Sequence, residues 1–431
     1  QQVDKALSNS SAGAIFHDTK LHNRPIKMGG YLDVTYQYAI NQPTTGINNE
    51  RVFDAFDNND FNVHLAQIYF DATAQEKGQA GFRIDLAFGS DANSIEQLGP
   101  DNMLTSDDRF DDGNEFTDPD AGSENDDDFT LLQAYIDYII PVANGIRMKV
   151  GKFATPIGFE VIQAQDNWNA TRSFQFGKAL PFTHTGIGFE YKVFSNWEVR
   201  GYFVNGWDVM RDNNEGKTGI VQSIWSPTEW ITWTVSGAVG NEIARGRSSY
   251  AIPPDADDRA DEDTTYLANT VLTFNPWEKW NFAIEASYGL TENGSNNDAE
   301  DGLPGAAGYN DQNYRTTPDA KWWAVAGYLK YQFLPEWYLA ARGEYFNDHD
   351  ATRTWYGVGY GGRQELYSGT ATLAYSPVSP FEIRLEYRYD ASSREAFAVQ
   401  DLSDEVSPHD GNPADFRGHQ DTVTVQFLYK F

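Results

Sequence analysis

The sequence predicts an all-β fold: a transmembrane antiparallel β-barrel of about 16 strands, with short periplasmic turns and long extracellular loops. Three observations predict it. Segments of about ten residues alternate apolar with polar side chains, the length a tilted membrane strand needs. Connections alternate short and long, and the aromatic content reaches 15%. The 431 residues show no linker-like break, so one barrel domain is expected over 28–431, preceded by residues 1–27 as a periplasmic arm or a plug. Mean hydropathy is -0.57, and no apolar run is long enough for a membrane-spanning helix.

The alternation is clearest near the end of the chain. In Phe381-Glu382-Ile383-Arg384-Leu385-Glu386-Tyr387-Arg388-Tyr389-Asp390 every odd position is large and apolar and every even one is charged. A strand turns these two sets to opposite faces. The same pattern sets Phe82, Ile84, Leu86 and Phe88 against Arg83 and Asp85, and Trp197, Val199 and Phe203 against Glu198, Arg200 and Tyr202. It recurs in Trp337, Leu339 and Tyr345 against Arg342 and Glu344, and at the C-terminus in Val423, Val425, Phe427, Tyr429 and Phe431. A soluble sandwich also alternates, but seldom follows nearly every second strand with a long acidic loop.

Short connections are expected at Gln75–Gln79, Pro141–Asn144, Phe194–Asn196, Ser226–Glu229, Asn275–Lys279, Leu334–Glu336 and Ser376–Pro380. Long ones fall at roughly 41–60, 91–127, 156–181, 206–216, 241–263, 290–319, 347–362 and 391–418. Short turns at one rim and long loops at the other are the layout of an outer-membrane barrel. Several short turns reverse on Pro and restart on an aromatic, as in Ser226-Pro227-Thr228-Glu229-Trp230 and Leu334-Pro335-Glu336-Trp337. Pro pre-sets the turn, and an amphipathic ring suits the headgroup level.

Gln1-Gln2-Val3-Asp4-Lys5 has neither the basic region nor the apolar core of a signal peptide; for an exported chain this is the mature form. Cysteine is absent, which removes disulfides, thiolate metal sites and covalent haem attachment.

The polar register is expected to line a water-filled lumen, because charges in a dry interior would cost several kcal/mol each. At about 16 strands a barrel holds an aqueous channel. The candidate pore-lining residues are Arg83, Asp85, Arg147, Lys149, Arg200, Arg342, Glu344, Arg384, Glu386 and Arg388. Their signs alternate, so cross-strand ion pairing is expected ahead of a basic ladder for anions. Loop 156–181 is expected to fold inward as a constriction, presenting Glu160, Gln163, Asp166, Arg172 and Lys178. An outward loop packed on a neighbour is the alternative.

The run Val150-Gly151-Lys152-Phe153-Ala154-Thr155-Pro156-Ile157-Gly158-Phe159-Glu160 is followed by Asn169-Ala170-Thr171-Arg172-Ser173-Phe174 and Pro181-Phe182-Thr183-His184-Thr185-Gly186. This set resembles the OmpL-like β-barrel porins of bacterial outer membranes and, more distantly, the phosphate-selective porins. The latter carry a dense Lys/Arg array near the constriction, where this chain has only Lys152, Arg172 and Lys178. The resemblance implies an outer-membrane porin that passes small hydrophilic solutes and ions by passive diffusion, as a homo-oligomer, a trimer. The terminal Phe431, with Tyr429 and Phe427 before it, resembles the signature that the barrel-insertion machinery reads.

The loop at 91–127 is rich in carboxylates, with Asp107, Asp108, Asp111 and Asp112 as candidates for structural Ca²⁺ or Mg²⁺, or for bridging to lipopolysaccharide. Arg109 breaks the order of a calcium loop, and a solvated repulsive loop is the alternative. No other cofactor is expected. The net charge of -31 excludes nucleic acid as a partner, leaving membrane lipid and lipopolysaccharide. His64 and His184 lie on predicted strands without a nucleophile motif beside either, so no enzyme is expected. A scaffold or receptor barrel around a protein partner is the other function the pattern allows.

Overall fold

The computed structural model describes residues 20–21, 24–42, 50–53, 58–97, 129–212, 214, 216–242, 263–292, 319–350, 352–354, 363–398 and 416–431. Sixteen strands close into one antiparallel barrel. In chain order they are β1 Lys27–Ala39, β2 Asp60–Asp71, β3 Ala80–Phe88, β4 Phe129–Ile140, β5 Ile146–Ala154, β6 Thr183–Phe194, β7 Trp197–Val204 and β8 Thr218–Thr228. Then follow β9 Ile231–Gly240, β10 Thr265–Trp277, β11 Trp280–Thr291, β12 Ala320–Leu334, β13 Trp337–Asp348, β14 Gln364–Val378, β15 Phe381–Ser392 and β16 His419–Lys430. Each pairs with its neighbours in sequence, and β16 closes on β1 from Thr422↔Ala39 to Lys430↔Tyr31. Closure leaves the barrel without a free edge.

The two faces follow the period of the sequence. On β15 Leu385, Tyr387 and Tyr389 are exposed outward, while Arg384, Glu386 and Arg388 between them are buried inside. At the short-turn rim, rings from adjacent strands stack: Trp280 lies 4.2 Å from Tyr331, and Trp337 4.2 Å from Tyr375. Such a girdle fits the membrane–water interface.

Two departures from regular pairing bear on the interior. Pairing skips His64 between β1 and β2 and Leu132 between β3 and β4, each an extra residue in one strand. Both come against helix α1, Ser90–Gln97, which opens the second long loop. No alternation or loop boundary in the sequence marks this helix. Asp91 in its first turn complements the positive end of the helix dipole.

Of the N-terminal segment, Lys20–Leu21 and Arg24–Pro25 form a two-residue ribbon, and Lys27 already belongs to β1. The choice between arm and plug for residues 1–19 lies outside the described residues. A second ribbon, Phe397–Ala398 with Phe416–Arg417, sits at the base of the last long loop.

Candidate functional site: the lumen and the loop that crosses it

Loop 156–181 runs into the barrel, and its first turn shows why. Gly158 has φ +107°, and a Cβ there would lie 2.8 Å from Leu180 Cδ1 and 3.4 Å from Glu285 Oε1. Glycine alone fits a turn so shaped and so crowded. Beyond it, side chains of β13–β15 seize the main chain of the loop. Arg384 donates to the carbonyls of Ala164, Asn167 and Asn169 at 2.9–3.0 Å. Glu386 accepts the N–H groups of Ala170 at 2.7 Å and Thr171 at 3.0 Å. Arg342 pairs with Glu160 at 2.8 Å and donates to the Thr171 carbonyl at 2.6 Å, and Arg388 donates to the Arg172 carbonyl at 2.6 Å. Asn169 reaches Thr372 of β14 at 2.7 Å.

The apolar side chains of the loop face the remaining wall. Ile157, Phe174 and Leu180 share a buried cluster with Phe153, Tyr202, Val204, Ile220, Ala238, Leu267 and Trp322, on β5, β7–β10 and β12. Ile162 and Phe176 share another with Phe53 and with Tyr31, Leu65, Ala87 and Leu132 of β1–β4. The loop is tied toward the long-loop side as well, by Lys178–Glu50 at 2.9 Å and Arg172–Asp91 at 2.7 Å. It therefore spans the lumen from wall to wall.

The ten pore-lining candidates divide between two environments. Arg83, Arg147, Lys149 and Arg200 line the short-turn half of the lumen with side chains 23–27% exposed. Asp85 lies buried beneath Arg83, 2.8 Å from it, and accepts from Gln67 and Gln133. The other five correct the expectation of a water-lined wall: Arg342, Glu344, Arg384, Glu386 and Arg388 are buried. The reason is the loop, which covers them and supplies carbonyls, amides and Glu160 in place of water. Ion pairing does run along the wall, but only in part across strands as expected: Arg147 and Lys149 pair with the neighbouring strand, whereas the short pairs of Arg83, Arg200, Arg384 and Arg388 lie two residues along their own strands. Arg147 pairs with Asp137, Lys149 with Glu190 at 2.7 Å, Arg200 with Glu198 at 2.6 Å, Arg384 with Glu382 at 2.6 Å and Arg388 with Asp390 at 2.7 Å.

Within the loop, Glu160, Arg172 and Lys178 are buried in ion pairs, while Gln163 and Asp166 keep water contact. Asp166 lies 3.9 Å from Lys430 of β16. The candidates Asp107, Asp108, Asp111 and Asp112 lie outside the described residues. Among the described residues no three His, Asp or Glu groups converge as a metal site.

Several residues that hold the loop carry little signal in the local sequence pattern. Arg51 reaches Asp390 at 2.7 Å, Phe53 packs on Phe176 with ring centroids 5.7 Å apart, and Asp91 joins His64 at 3.0 Å. The available signal was the short basic and apolar run Arg51-Val52-Phe53 in a mostly polar loop. Glu285 of β11 accepts the Phe159 N–H at 3.2 Å and an Asn269 amide N–H at 2.8 Å. His184 spans the Gly206 carbonyl and Thr155 at 2.9 and 3.1 Å, a structural bridge.

Past the end of β7, two acids sit close to the backbone. Asp208 accepts the N–H groups of Phe182 and Thr183, both at 2.7 Å, and Glu242 that of Trp207 at 2.8 Å. Burial pushes the Asp208 carboxyl up to about 7 and that of Glu242 up to about 8.

A closed 16-stranded barrel with an inward loop, a charged lumen and an aromatic girdle defines a membrane channel of the porin class. The chain belongs to the family described as "Putative beta-barrel porin-2, OmpL-like", which matches residues 25–431. Among solved structures, it is similar in fold to the outer membrane channel DcaP of Acinetobacter baumannii, with TM-score 0.55 and 11% identity, covering 94% of this chain and 97% of that one. It is also similar to the trimer form of OmpT, an outer membrane protein of Vibrio cholerae, with TM-score 0.54 and 9% identity over 94% and 99% of the two chains. The anion-selective porin from Comamonas acidovorans gives TM-score 0.52 and 9% identity over 94% and 99%. No curated protein matches the sequence.

Proposed function

We propose that this outer-membrane barrel is a general porin, passing small hydrophilic solutes and ions by passive diffusion, with loop 156–181 as its constriction. The observation that carries this reading is the loop held inside the barrel by Arg342, Arg384, Glu386 and Arg388, next to an open half lined by paired charges. Pairing leaves that wall near neutrality, which favours passage by size over passage by charge. The lumen acids and bases serve to position the loop and hydrate the path, not to catalyse. A trimer in the membrane, contacts with lipopolysaccharide through the acidic loops, and recognition of Phe431 during insertion complete the proposal.

Swelling of proteoliposomes in isotonic solutions of neutral sugars of graded size tests it. Rates that fall with solute size, and exceed those of protein-free vesicles, are expected. Swelling no faster than the empty vesicles, both by the unaltered chain and by a chain whose residues 159–176 are replaced by a short Gly/Ser linker, would reject the porin reading.

A further inference from the structure

Segment 156–181 does more than narrow the lumen. Its apolar side chains share buried clusters with β1–β4 and with β5, β7–β10 and β12. Its polar groups bond to β13, β14 and β15, and Asp166 approaches Lys430 of β16. Of the residues in this segment only Val161 and Asp166 are exposed, so the segment fills much of the level it occupies.

We propose that segment 156–181 is a gate, closed in this structure, and that Arg384 and Glu386 of β15 are its latch. The inference rests on the porin reading and concerns the regulation of the same loop. Two observations favour a gate over a permanent plug.

The first is how the wall holds the segment. Arg384 and Glu386 bind its carbonyls and amides, and both residues face the lumen in which Arg83, Arg147 and Arg200 on other strands stay partly exposed. When the segment leaves, water takes over those hydrogen bonds, so no charge is stranded in a dry medium. The polar seat is thus satisfied in either state.

The second is the way the segment joins the barrel. It departs β5 through Pro156 and Gly158 and returns to β6 through a single π-helical turn, Gln175–Ala179. Pivots and turns of this kind absorb rearrangement. With no cysteine in the chain, no disulfide ties the segment down. Burial of Ile157, Phe174, Phe176 and Leu180 favours the closed seat, which makes closed the resting state.

Glu386 is where the latch is most sensitive. Donors from Ala170, Thr171 and Thr372 converge on its carboxylate, so an amide in its place sets N–H against N–H.

Single-channel recording in planar bilayers tests the inference on three forms: the full chain, E386Q and R384M variants, and a variant whose residues 159–176 are replaced by a short Gly/Ser linker. Heat-modifiable migration on gels verifies that each barrel is folded. The gate predicts that the unaltered chain is closed for most of the record, with brief openings. It predicts that E386Q and R384M raise the open fraction at least tenfold, at the conductance of the linker variant. Steady conduction by the unaltered chain, unchanged in E386Q and R384M, would overturn the gate and leave the porin reading intact. A folded linker variant that conducts nothing would overturn the porin reading itself.

Discussion

Arg342 of β13 and Glu160 of loop 156–181 form an ion pair of 2.8 Å with both side chains shut away from solvent. The pair joins wall to loop at the middle of the barrel. Breaking one side of such a pair strands the other charge, at a cost of roughly 3 kcal/mol or more. R342M or E160Q alone is therefore expected to destabilise the folded barrel by about 3 kcal/mol, measured by urea unfolding in detergent micelles. The double variant should lose clearly less than the sum, because the interaction the two residues share is lost only once. Additive losses would show that the two residues act independently.

Stability should also depend on pH through Asp208 and Glu242, which lie past strand ends and outside the membrane. Their folded values of about 7 and about 8 stand above the ordinary 3.8 and 4.5, so the folded state binds the extra protons. The stability they contribute is fully present below the ordinary values and is lost as pH rises through about 7 and about 8. Thermal unfolding between pH 5 and pH 9 should decline more steeply for the unaltered chain than for D208N/E242Q, whose amides cannot ionise. Parallel curves would count against this assignment.

Ion preference should follow the vestibule pairs. Neutralising Glu190 frees the positive charge of Lys149, 2.7 Å away, and neutralising Arg147 frees Asp137. With an open channel, E190Q should shift the reversal potential in a salt gradient toward anions and R147Q toward cations, each more strongly at low ionic strength. Shifts of the same sign in both would contradict a balanced wall.

Gly151, in the Val-Gly-Lys-Phe run that marks the family resemblance, has φ +135°, and a Cβ there would lie 2.2 Å from the Ala134 carbonyl oxygen. Neither the dihedral nor the contact tolerates a side chain. G151A is expected to cost about 2 kcal/mol or more of barrel stability, read as a lowered midpoint of urea unfolding. An unchanged midpoint would mean that β4 and β5 part easily.

Much of this was legible in the sequence because a closed barrel keeps one rule along its whole length. The period of two in 381–390 assigns each residue a face, and the alternation of short and long connections sets the number of strands. Ion pairing was legible in the alternating signs, but its form was not: Arg200 pairs with Glu198, and Arg388 with Asp390, along one strand rather than across two. What the period could not carry was depth: Arg83 and Arg384 occupy the same register, yet one meets water and the other the main chain of a loop. That difference comes from Gly158 and from distant partners such as Asn167, none of which marks the local pattern of β15. Helix α1 and the contacts of Arg51 and Phe53 were hidden for the same reason, since they rest on contacts far apart in sequence.

The central claim, that loop 156–181 lies inside the barrel against β14 and β15, is tested most directly by cross-linking in the membrane. The chain has no cysteine of its own, and Asn169 lies within hydrogen-bond distance of Thr372, 2.7 Å apart. In the variant N169C/T372C, a short bifunctional thiol reagent should join the two positions in nearly every folded molecule, leaving each single variant unjoined. Failure to cross-link, with both cysteines still reacting singly with small thiol reagents, would place the loop elsewhere and contradict the account.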